Sequence, residues 1–587
     1  MDWLMSILAL IGGVCIFLFG MNVMGESLER RAGGALKSLL GKLTTNKFAG
    51  FLTGLVVTCV IQSSSATTVM VVGFVNSGLM GLPQAISVIM GSNIGTTITA
   101  WILSTNAIGG SGFMELLTPD AWTPILAVLG IVFTMFLKGD KKKDTGMIFL
   151  GFAVLMAGMT LMSDAVGGLS KKDSFRNIFT KFNEPTLCVL VGAVLTGVIQ
   201  SSSASVGILQ SLAGKGLVNY AMAIPIIMGQ NIGTCVTAML SSIGTNKNAR
   251  RTAVVHLLFN IIGTVICLTT FYIVRGVGGE FITEFLADNP NEVGIAICHT
   301  AFNVITTLIL FPCSGLLAKL ACIIIKDKGE EQKTVLLDER LLQTPAVALD
   351  RCKVLAVELA KTSTQVLKDS LVALKQYSPE LAQKIKDDET TTDKYEDILG
   401  TYLVKLSSMQ IGEDESMEAT KLLKAIGDFE RIGDHAINVL ESKEELLEKG
   451  IDFSAQGKQE LDVLIAAINE ILDLTVVAFS ENDISVCKQI EPLEEVIDNL
   501  KETLRSRHVL RMQKQECSIE AGFVWVDLLT NLERTSDHCN NVAVSIMDSQ
   551  KHIINLHETA HSEKLEEEFK QKYVEYCEQY KITGEIE

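Results

Sequence analysis

Runs of apolar residues as long as a bilayer is thick constrain the fold of this chain most. Up to Ile325 the sequence is a succession of such runs, many of 18–24 residues, and a helix of about 20 residues spans a hydrocarbon core of roughly 30 Å. Beyond Lys326 the runs disappear, and Lys, Glu and Asp recur at helical spacing. We therefore predict an all-α protein with a multi-pass membrane domain at 1–325, a linker at 326–340 and a soluble helical domain at 341–582.

Charge and cysteine content narrow the class of protein. The formal net charge of −17 lies mostly in the soluble half, which argues against a nucleic-acid partner. The 13 cysteines show no paired spacing, as expected in a reducing cytoplasm. The first apolar run has no basic residue before it and no cleavage site, so we predict a retained membrane helix. We expect the protein in the cytoplasmic (inner) membrane, with its C-terminal domain in the cytoplasm.

The membrane half contains an internal duplication. TCVIQSSSA at 58–66 matches TGVIQSSSA at 196–204, and MGSNIGTTITA at 90–100 matches MGQNIGTCVTA at 228–238, both offset by 138 residues. The repeats cover about 3–104 and 146–242, with extra helices at 252–325. Placing the basic clusters in the cytoplasm makes the first repeat start outside and the second inside. Such inverted repeats are typical of secondary transporters, although the basic stretch Lys171–Lys181 conflicts with this topology.

Each repeat predicts a re-entrant hairpin. Two arms of about 13 residues flank QSSS in 47–77 and in 184–215, and such arms are too short to span a bilayer. The tips enter from opposite sides and are predicted to meet near the midplane, where helix N-termini suit an anion and oxygen atoms suit Na⁺. The two Asn-Ile-Gly-Thr segments are predicted to break their helices. The predicted substrate and sodium ligands are Gln62, Ser63, Ser64, Ser65, Asn93, Thr96, Gln200, Ser201, Ser202, Ser203, Asn231 and Thr234.

Packing is the alternative interpretation of these polar residues. Ser, Thr and Gly also bring membrane helices close together, but two copies in inverted halves favour a site. No Asp, Glu, Lys or Arg lies between Phe48 and Leu103, so a multivalent anion needs co-bound cations, and Na⁺ symport is favoured over proton coupling. A third pair, HLLFN at 256–260 and HTAFN at 299–303, places His and Asn one helical turn apart. We favour interhelical hydrogen bonding there over a role in the transport path.

Together these motifs resemble the type II sodium/phosphate cotransporter family over residues 1–325. The resemblance implies Na⁺-coupled transport of inorganic phosphate by alternating access, with the site around the two QSSS tips and the Asn-Ile-Gly-Thr segments. It leaves the direction and stoichiometry open. Two alternatives remain: a Na⁺-coupled transporter of another oxyanion such as sulfate, and a phosphate-responsive receptor that signals through the soluble domain.

The soluble half has its own weak repeat. GDFERIGDHAINV at 427–439 matches TNLERTSDHCNNV at 530–542, and this half resembles PhoU, a pair of three-helix bundles. The resemblance implies metal binding, of a divalent or iron-type ion, by Glu430, Asp434, Glu533 and Asp537; a solvated charged face is the alternative. Acidic residues on a neighbouring helix could complete such a metal surface: Asp388, Asp393, Glu396, Asp397, Glu491, Glu494, Glu495 and Asp498. A metal-dependent enzyme is a remote third reading, because the sequence lacks nucleotide-binding and hydrolase motifs. We predict no enzyme. The expected partners are phosphate, the lipid bilayer and a regulatory protein, with a dimer considered and the oligomeric state open.

Overall fold

The computed structural model describes residues 2–41, 46–105, 119–170, 184–326, 337–409, 411–551 and 567–582. Helices dominate these residues, and no strand occurs among them, which confirms the all-α prediction. The chain divides into two compact units, Met1–Val347 and Ala348–Glu587. The boundary lies a few residues beyond the predicted start of the soluble domain. The predicted conflict at Lys171–Lys181, and most of the predicted linker, lie outside the described residues.

Unit 1 consists of helices arranged in two matching series. The first series is α1 (Asp2–Gly41), α2 (Lys47–Ile61), α3 (Ser64–Asn76), α4 (Leu82–Gly95), α5 (Thr97–Ser104) and α6 (Pro119–Phe136). The second is α7 (Asp140–Ser170), α8 (Pro185–Ile199), α9 (Ser202–Gly214) and α10 (Tyr220–Ser241). The unit continues with α11 (Lys247–Val277), α12 (Gly279–Ala287), α13 (Glu292–Leu310) and α14 (Ser314–Ile324), and with a short 3₁₀ helix at Glu339–Gln343.

The last predicted span of the membrane half is divided in two. We expected one helix over 295–325, but α13 ends at Leu310 and α14 begins at Ser314. Pro312 lies between them. Proline lacks an N–H and clashes with the carbonyl four residues back, which favours an interruption of the helix at this position.

Several helices are suited to a membrane. Among the described residues, seven helices are long and apolar enough to cross a bilayer, six of them in unit 1. The seventh, Ala455–Glu481, lies in unit 2, where half of its most apolar stretch is buried inside the protein. It therefore fits a bundle core.

Glycines bring each hairpin onto the Asn-Ile-Gly-Thr helix of its own repeat. A Cβ on Gly54 in α2 would lie 1.9 Å from the Val88 carbonyl oxygen of α4. At the repeat-equivalent position, a Cβ on Gly192 would lie 2.2 Å from the Ile226 carbonyl oxygen of α10. Both distances are far below van der Waals contact, so only glycine fits at these two crossings. The duplication is thus preserved in the packing as well as in the sequence.

Unit 2 has the predicted pair of three-helix bundles. The first bundle is α15 (Pro345–Lys375), α16 (Pro379–Ser407) and α17 (Glu413–Lys449). The second is α18 (Ala455–Glu481), α19 (Ile484–Gln513) and α20 (Ile519–Lys551), followed by α21 (Glu567–Gln579). Helices α17 and α20, which carry the repeated motif, pack side by side.

The two histidines of the repeated motif join the bundles. His435 Nδ1 lies 3.0 Å from Asn531 Oδ1, and His538 Nδ1 lies 2.9 Å from Asp428 Oδ1. Asp428 and Asn531 are themselves equivalent in the 103-residue repeat. Each histidine therefore has a hydrogen-bonding partner on the other helix of the α17–α20 pair.

Candidate functional site

Both QSSS segments fold as a sharp reversal between two helices. Gln62 ends α2 in the left-handed region (φ 59°, ψ 21°), and Gln200 ends α8 in the same way (φ 56°, ψ 21°). The next residue, Ser63 or Ser201, caps the following helix by accepting a hydrogen bond from a backbone N–H three residues on, at 3.1 and 3.3 Å. The left-handed region is unfavourable for residues other than glycine, so a glutamine in this conformation marks a specialised turn.

The reversal exposes a helix N-terminus at each tip. The first N–H groups of α3 and α9 have no carbonyl partner within their own helix, and they form the positive end of the helix dipole. Ser64 at the start of α3 is 3% exposed, and its Oγ is without a hydrogen-bond partner in the described part of the chain. A buried hydroxyl without a partner is available to a ligand.

The remaining predicted ligands differ between the two tips. Ser202 and Ser203 are buried, whereas Ser63, Ser65 and Ser201 are half-buried. Gln62 is buried, but Gln200 is exposed. The two tips thus share a backbone fold and differ in the surroundings of their glutamines.

Hydrogen bonds that the sequence prediction missed hold the first tip to its own repeat. Thr99 Oγ1 on α5 donates to Gln62 Oε1 at 3.0 Å. Thr58 Oγ1 on α2 donates to Ser92 Oγ on α4 at 2.7 Å. The 138-residue offset contains the signal for these residues, because Thr58 and Thr99 have threonine counterparts at 196 and 237.

The second hairpin has related but different bonds. Thr196 Oγ1 donates to Ser205 Oγ at 2.8 Å, and Gln230 Nε2 donates to the Ser205 carbonyl at 2.9 Å. Gln210 Nε2 on α9 also reaches the carbonyls of Ala100 and Glu292, each at 3.0 Å. These bonds tie α9 to both repeats. That the two tips meet near the midplane stays a prediction.

Only one of the two Asn-Ile-Gly-Thr segments interrupts its helix. In the first repeat, Thr96 separates α4 from α5. In the second, α10 runs unbroken from Tyr220 to Ser241, so the predicted break at 231–234 is wrong. Thr96 and Thr234 both donate to the carbonyl four residues back, at 3.0 Å, so the difference lies at the asparagines. Asn231 Nδ2 donates to the Ile227 carbonyl of its own helix at 2.9 Å, whereas Asn93 Nδ2 has no partner among the described residues.

The first His-Asn pair contacts the predicted site. His256 Nε2 on α11 lies 3.3 Å from Asn93 Oδ1 on α4, and both residues are buried. This contact matches the predicted interhelical bonding. In the second pair, Asn303 Nδ2 donates to the His299 carbonyl of its own helix at 3.0 Å, and His299 Nδ1 has no partner within the described ranges. The interhelical prediction therefore holds for one pair of the two.

Two carboxylate clusters lie in unit 2, one in each bundle. Glu389, Asp393 and Asp434 can each place a carboxylate oxygen within 4.8 Å of the other two, and so can Glu494, Asp498 and Asp537. The clusters include two of the four predicted ligands, Asp434 and Asp537, and draw the others from the neighbouring helix. The predicted ligand Glu430 instead lies 3.6 Å from Arg431, and Glu533 lies 2.9 Å from Lys501.

The ionisation of these carboxyl groups reflects their crowding. Partial burial, and then the nearby carboxylates of Glu533 and Asp498, raise the pKa of Asp537 to about 6. Burial together with Asp393 and Asp434 likewise raises the pKa of Glu389. Like charges held this close are stabilised by a bound cation, and hard oxygen donors suit Mg²⁺, Ca²⁺, Mn²⁺ or ferric iron. The donor set fits a metal ion in each bundle.

A duplication with a helical hairpin in each half, followed by two three-helix bundles, is the architecture of a membrane transport protein with a C-terminal helical domain. The family model described as "Na+/Pi-cotransporter" matches residues 16–164 and 158–283, and the one described as "PhoU domain" matches 356–442 and 462–546. This chain belongs to the Na⁺/Pi-cotransporter family and contains two PhoU-type repeats.

Curated relatives support this assignment. "Putative inorganic phosphate export protein YjbB" of Escherichia coli (strain K12) is 23% identical over 555 residues, covering 93% of this chain and 98% of that protein. "Uncharacterized protein YqeW" of Bacillus subtilis (strain 168) is 31% identical over 317 residues, covering 54% of this chain and 97% of that protein. "Sodium-dependent phosphate transport protein 2A" of Ovis aries is 23% identical over 376 residues, covering 43% of this chain and 59% of that protein. The named activities are transport rather than catalysis, in agreement with the prediction of no enzyme.

Proposed function

We propose that this protein moves inorganic phosphate across the cytoplasmic membrane, coupled to Na⁺, and that its PhoU-like unit regulates the flux. The observation that carries the proposal is the pair of hairpin tips, each of which ends in a helix N-terminus bordered by serine hydroxyls. The names of the family and of two relatives support phosphate as the substrate and Na⁺ as the coupling ion.

The chemistry of the tips suits an anion accompanied by a cation. Backbone N–H groups and the unpartnered Ser64 hydroxyl can donate to phosphate oxygens. Neutral dipoles alone do not balance a charge of −1 to −2 in a low-dielectric site, and no acidic or basic residue lies between Phe48 and Leu103. Na⁺ held by carbonyl, amide and hydroxyl oxygens near the tips supplies the missing charge.

Flux into proteoliposomes tests the substrate and the coupling ion together. We expect labelled phosphate to cross only when Na⁺ is present, and labelled sulfate not to cross. Equal phosphate flux in K⁺ alone would overturn the sodium coupling, and sulfate flux that exceeds phosphate flux would overturn the substrate. Reversing the Na⁺ gradient tests direction, since the name of the Escherichia coli relative refers to export.

Regulation is supported by the segment that joins the two functions, Leu337–Thr344, called here the joining segment. Asp338 Oδ2 accepts a hydrogen bond of 2.6 Å from Asn76 Nδ2, and Asp338 is 1% exposed. Arg340 donates to the Ser241 carbonyl at 2.6 Å and to the Ile243 carbonyl at 3.1 Å. Asn76 is the last residue of α3, and Ser64 at the tip is the first.

A change in the PhoU-like unit can therefore reach the site through one helix. The joining segment leads directly into α15, so tension on α15 would act on the Asp338–Asn76 bond and displace α3. A rigid helix transmits such a displacement along its axis to the tip. The PhoU-like unit would in this way adjust transport without contributing a ligand to the substrate.

We also propose that each bundle of unit 2 binds one metal ion. The full-length protein should bind about two Mn²⁺ ions per chain in equilibrium dialysis. Asp434→Asn and Asp537→Asn should each reduce this number by about one, while Glu441→Gln, at an exposed position on α17, should not. Binding that is unchanged in both Asp variants would favour the solvated-face alternative.

A further inference from the structure

The two tip glutamines lie in identical VIQSSSA segments, yet their side chains differ in burial. Gln62 is buried, its Oε1 accepts from Thr99 Oγ1 at 3.0 Å, and its Nε2 donates to the Cys59 carbonyl. Gln200 has nearly the same backbone angles, yet its side chain is exposed. The Gln62 side chain is therefore hydrogen-bonded within its own repeat, whereas the Gln200 side chain is exposed, a state called released below.

The second repeat contains a candidate hydrogen-bond donor for the released Gln200. Thr237 is the repeat equivalent of Thr99, at the same 138-residue offset. Its Oγ1 is buried and has no hydrogen-bond partner in the part of the chain that the structure describes. A buried hydroxyl without a partner has lost its hydrogen bonds to water and gained none within the protein. We take this as a sign of a hydrogen bond that forms in another conformation.

One hydrogen bond between the two arms of a hairpin is common to both repeats. Thr58 Oγ1 lies 3.1 Å from Thr67 Oγ1, and the equivalent Thr196 Oγ1 lies 2.8 Å from Ser205 Oγ. The contact between the arms is therefore intact in both repeats. The hairpins differ at the glutamines and at one position of the next helix, where Ser92 accepts from Thr58 in the first repeat and the equivalent Gln230 donates to the Ser205 carbonyl in the second.

The second hairpin also has room to move. A cavity of about 80 Å³ lies between its two arms and α10, lined by apolar side chains such as Leu195 and Ile208 and by Gln230. Protein interiors are otherwise close-packed, so a void of this size lets one arm shift at little cost in lost contacts.

We propose that Thr99 and Thr237 are positioning residues that hold the two tip glutamines in turn. In the conformation described here, Thr99 holds Gln62. In the opposite state of the transport cycle, Thr237 Oγ1 donates to Gln200 Oε1 while Thr99 releases Gln62. Inverted repeats exchange conformations in this way when access alternates between the two sides. The inference rests on the proposed transport function and adds to it the residues that switch the tips.

Distances between spin labels test this exchange without relying on transport. Labels at Val198→Cys, near the second tip, and Leu308→Cys, on α13, occupy exposed positions. They are introduced into full-length protein whose 13 native cysteines are replaced. In bilayers, the labelled protein without further substitution should show two distances between the labels. Addition of Na⁺ with phosphate should change the relative populations of these two distances. Thr237→Val should keep only the distance of the released tip, and Thr237→Ser should restore both.

Flux measured on the same variants separates positioning from folding. Thr237→Val should lower kcat for phosphate about tenfold, the effect of one lost hydrogen bond of about 1.4 kcal/mol. Its melting temperature should not fall, because the hydroxyl is unpaired in this conformation. Thr269→Val is the matched control, since that hydroxyl bonds only its own helix on an exposed face of α11.

The outcomes distinguish this inference from the proposed function. One distance under all conditions, or two distances that persist in Thr237→Val, would overturn the exchange even if phosphate flux were normal. Two distances that collapse in Thr237→Val and return in Thr237→Ser would support the exchange even if the transported anion were not phosphate.

Discussion

At the scale of single residues, the buried hydroxyls around the tips divide into two kinds. Some are already satisfied, such as Ser87 Oγ, which donates to the Pro83 carbonyl of its own helix at 3.4 Å. Others, such as Ser64 Oγ, are without a partner in the described ranges. Because a protein interior rarely leaves a hydroxyl unpaired, the second kind indicates a partner that is absent in this conformation, and we expect the ligand to be that partner for Ser64 at the tip.

This distinction predicts opposite effects for two serine-to-alanine changes. Ser64→Ala should weaken the binding of labelled phosphate to the purified protein by about 10–100-fold, the range expected for one hydrogen bond to a charged ligand. Its melting temperature should not drop, because no protein contact is lost. Ser87→Ala should leave phosphate affinity unchanged. Equal affinity in both variants would identify the Ser64 hydroxyl as a packing group.

A second prediction at this scale concerns pH and unit 2. His508 is 2% exposed and stacks on Trp525 with ring centroids 5.1 Å apart. Burial, and then the charge of Arg511, lowers the pKa of His508, while Glu460 opposes this effect. Since the unfolded chain then binds a proton more readily than the folded one, stability is lost as pH falls through the ordinary histidine range.

The melting temperature of unit 2, followed by the fluorescence of Trp525, should therefore fall by a few degrees between pH 7.5 and pH 5.5. In His508→Phe, which keeps an aromatic ring against Trp525, this dependence should be much weaker. A pH dependence that is identical in both proteins would assign the acid sensitivity to other groups.

Sequence reasoning reached some of these residues and missed others for a definite reason. The QSSS tips were found because they are polar in an apolar setting and occur twice. Thr99 and Thr237 were missed, since a single threonine in a membrane helix is ordinary until its partner is known. In the carboxylate clusters, Asp393, Glu494 and Asp498 are among the residues expected to complete the metal surface from the neighbouring helix, and Glu389 was missed. Helical spacing identifies neighbours on one helix and does not identify those across a bundle.

At the scale of helices, the crossing of a hairpin arm over the Asn-Ile-Gly-Thr helix fixes the position of each tip. The crossing depends on glycines at equivalent places in both repeats, as the distances at Gly54 and Gly192 show. Hydropathy predicted the existence of these helices well. Hydropathy did not predict the interruption around Pro312, and the polar Asn-Ile-Gly-Thr pattern wrongly predicted a break in α10, which runs unbroken.

Replacing these glycines should separate the helices. A Cβ at position 54 would lie 1.9 Å from a backbone oxygen that cannot turn aside, so Gly54→Ala should destabilise unit 1 by about 1–3 kcal/mol or more and reduce flux. Gly12→Ala is the matched control, because nothing lies within 4 Å of its added methyl group. Thermal unfolding of both variants in detergent measures the difference. Equal stability would mean that the arm does not depend on this close approach.

At the scale of the whole molecule, the joining segment connects the two units along the chain, and the regulation proposed above would act through it. A buried carboxylate such as Asp338 is costly unless it is paired, and here Arg340 and Asn76 supply its partners at 3.0 and 2.6 Å. Arg340 also ties the joining segment to the C-terminal end of α10. It donates to the carbonyl of Ser241, the last residue of that helix, and to the carbonyl of Ile243, just beyond it. Breaking this attachment should uncouple α3 from the joining segment while leaving the hydrogen-bonding groups of the tip chemically unchanged.

Arg340→Ala and Asn76→Ala should therefore change the turnover of phosphate transport, by about threefold or more, with little change in the affinity for phosphate. The effects should add incompletely in the double variant, because both variants remove a partner of Asp338. The effect of Asn76→Ala should be the larger, because it also removes the hydrogen bond that the Asn246 N–H donates to Asn76 Oδ1 at 2.8 Å. Arg250→Ala, which removes an exposed cation at the start of α11, is the matched control and should have no effect. Turnover and affinity are measured separately in proteoliposomes, at saturating phosphate and across a concentration series. Fully additive effects, or a loss of affinity equal to the loss of turnover, would show that the segment acts on the substrate site by another route than α3.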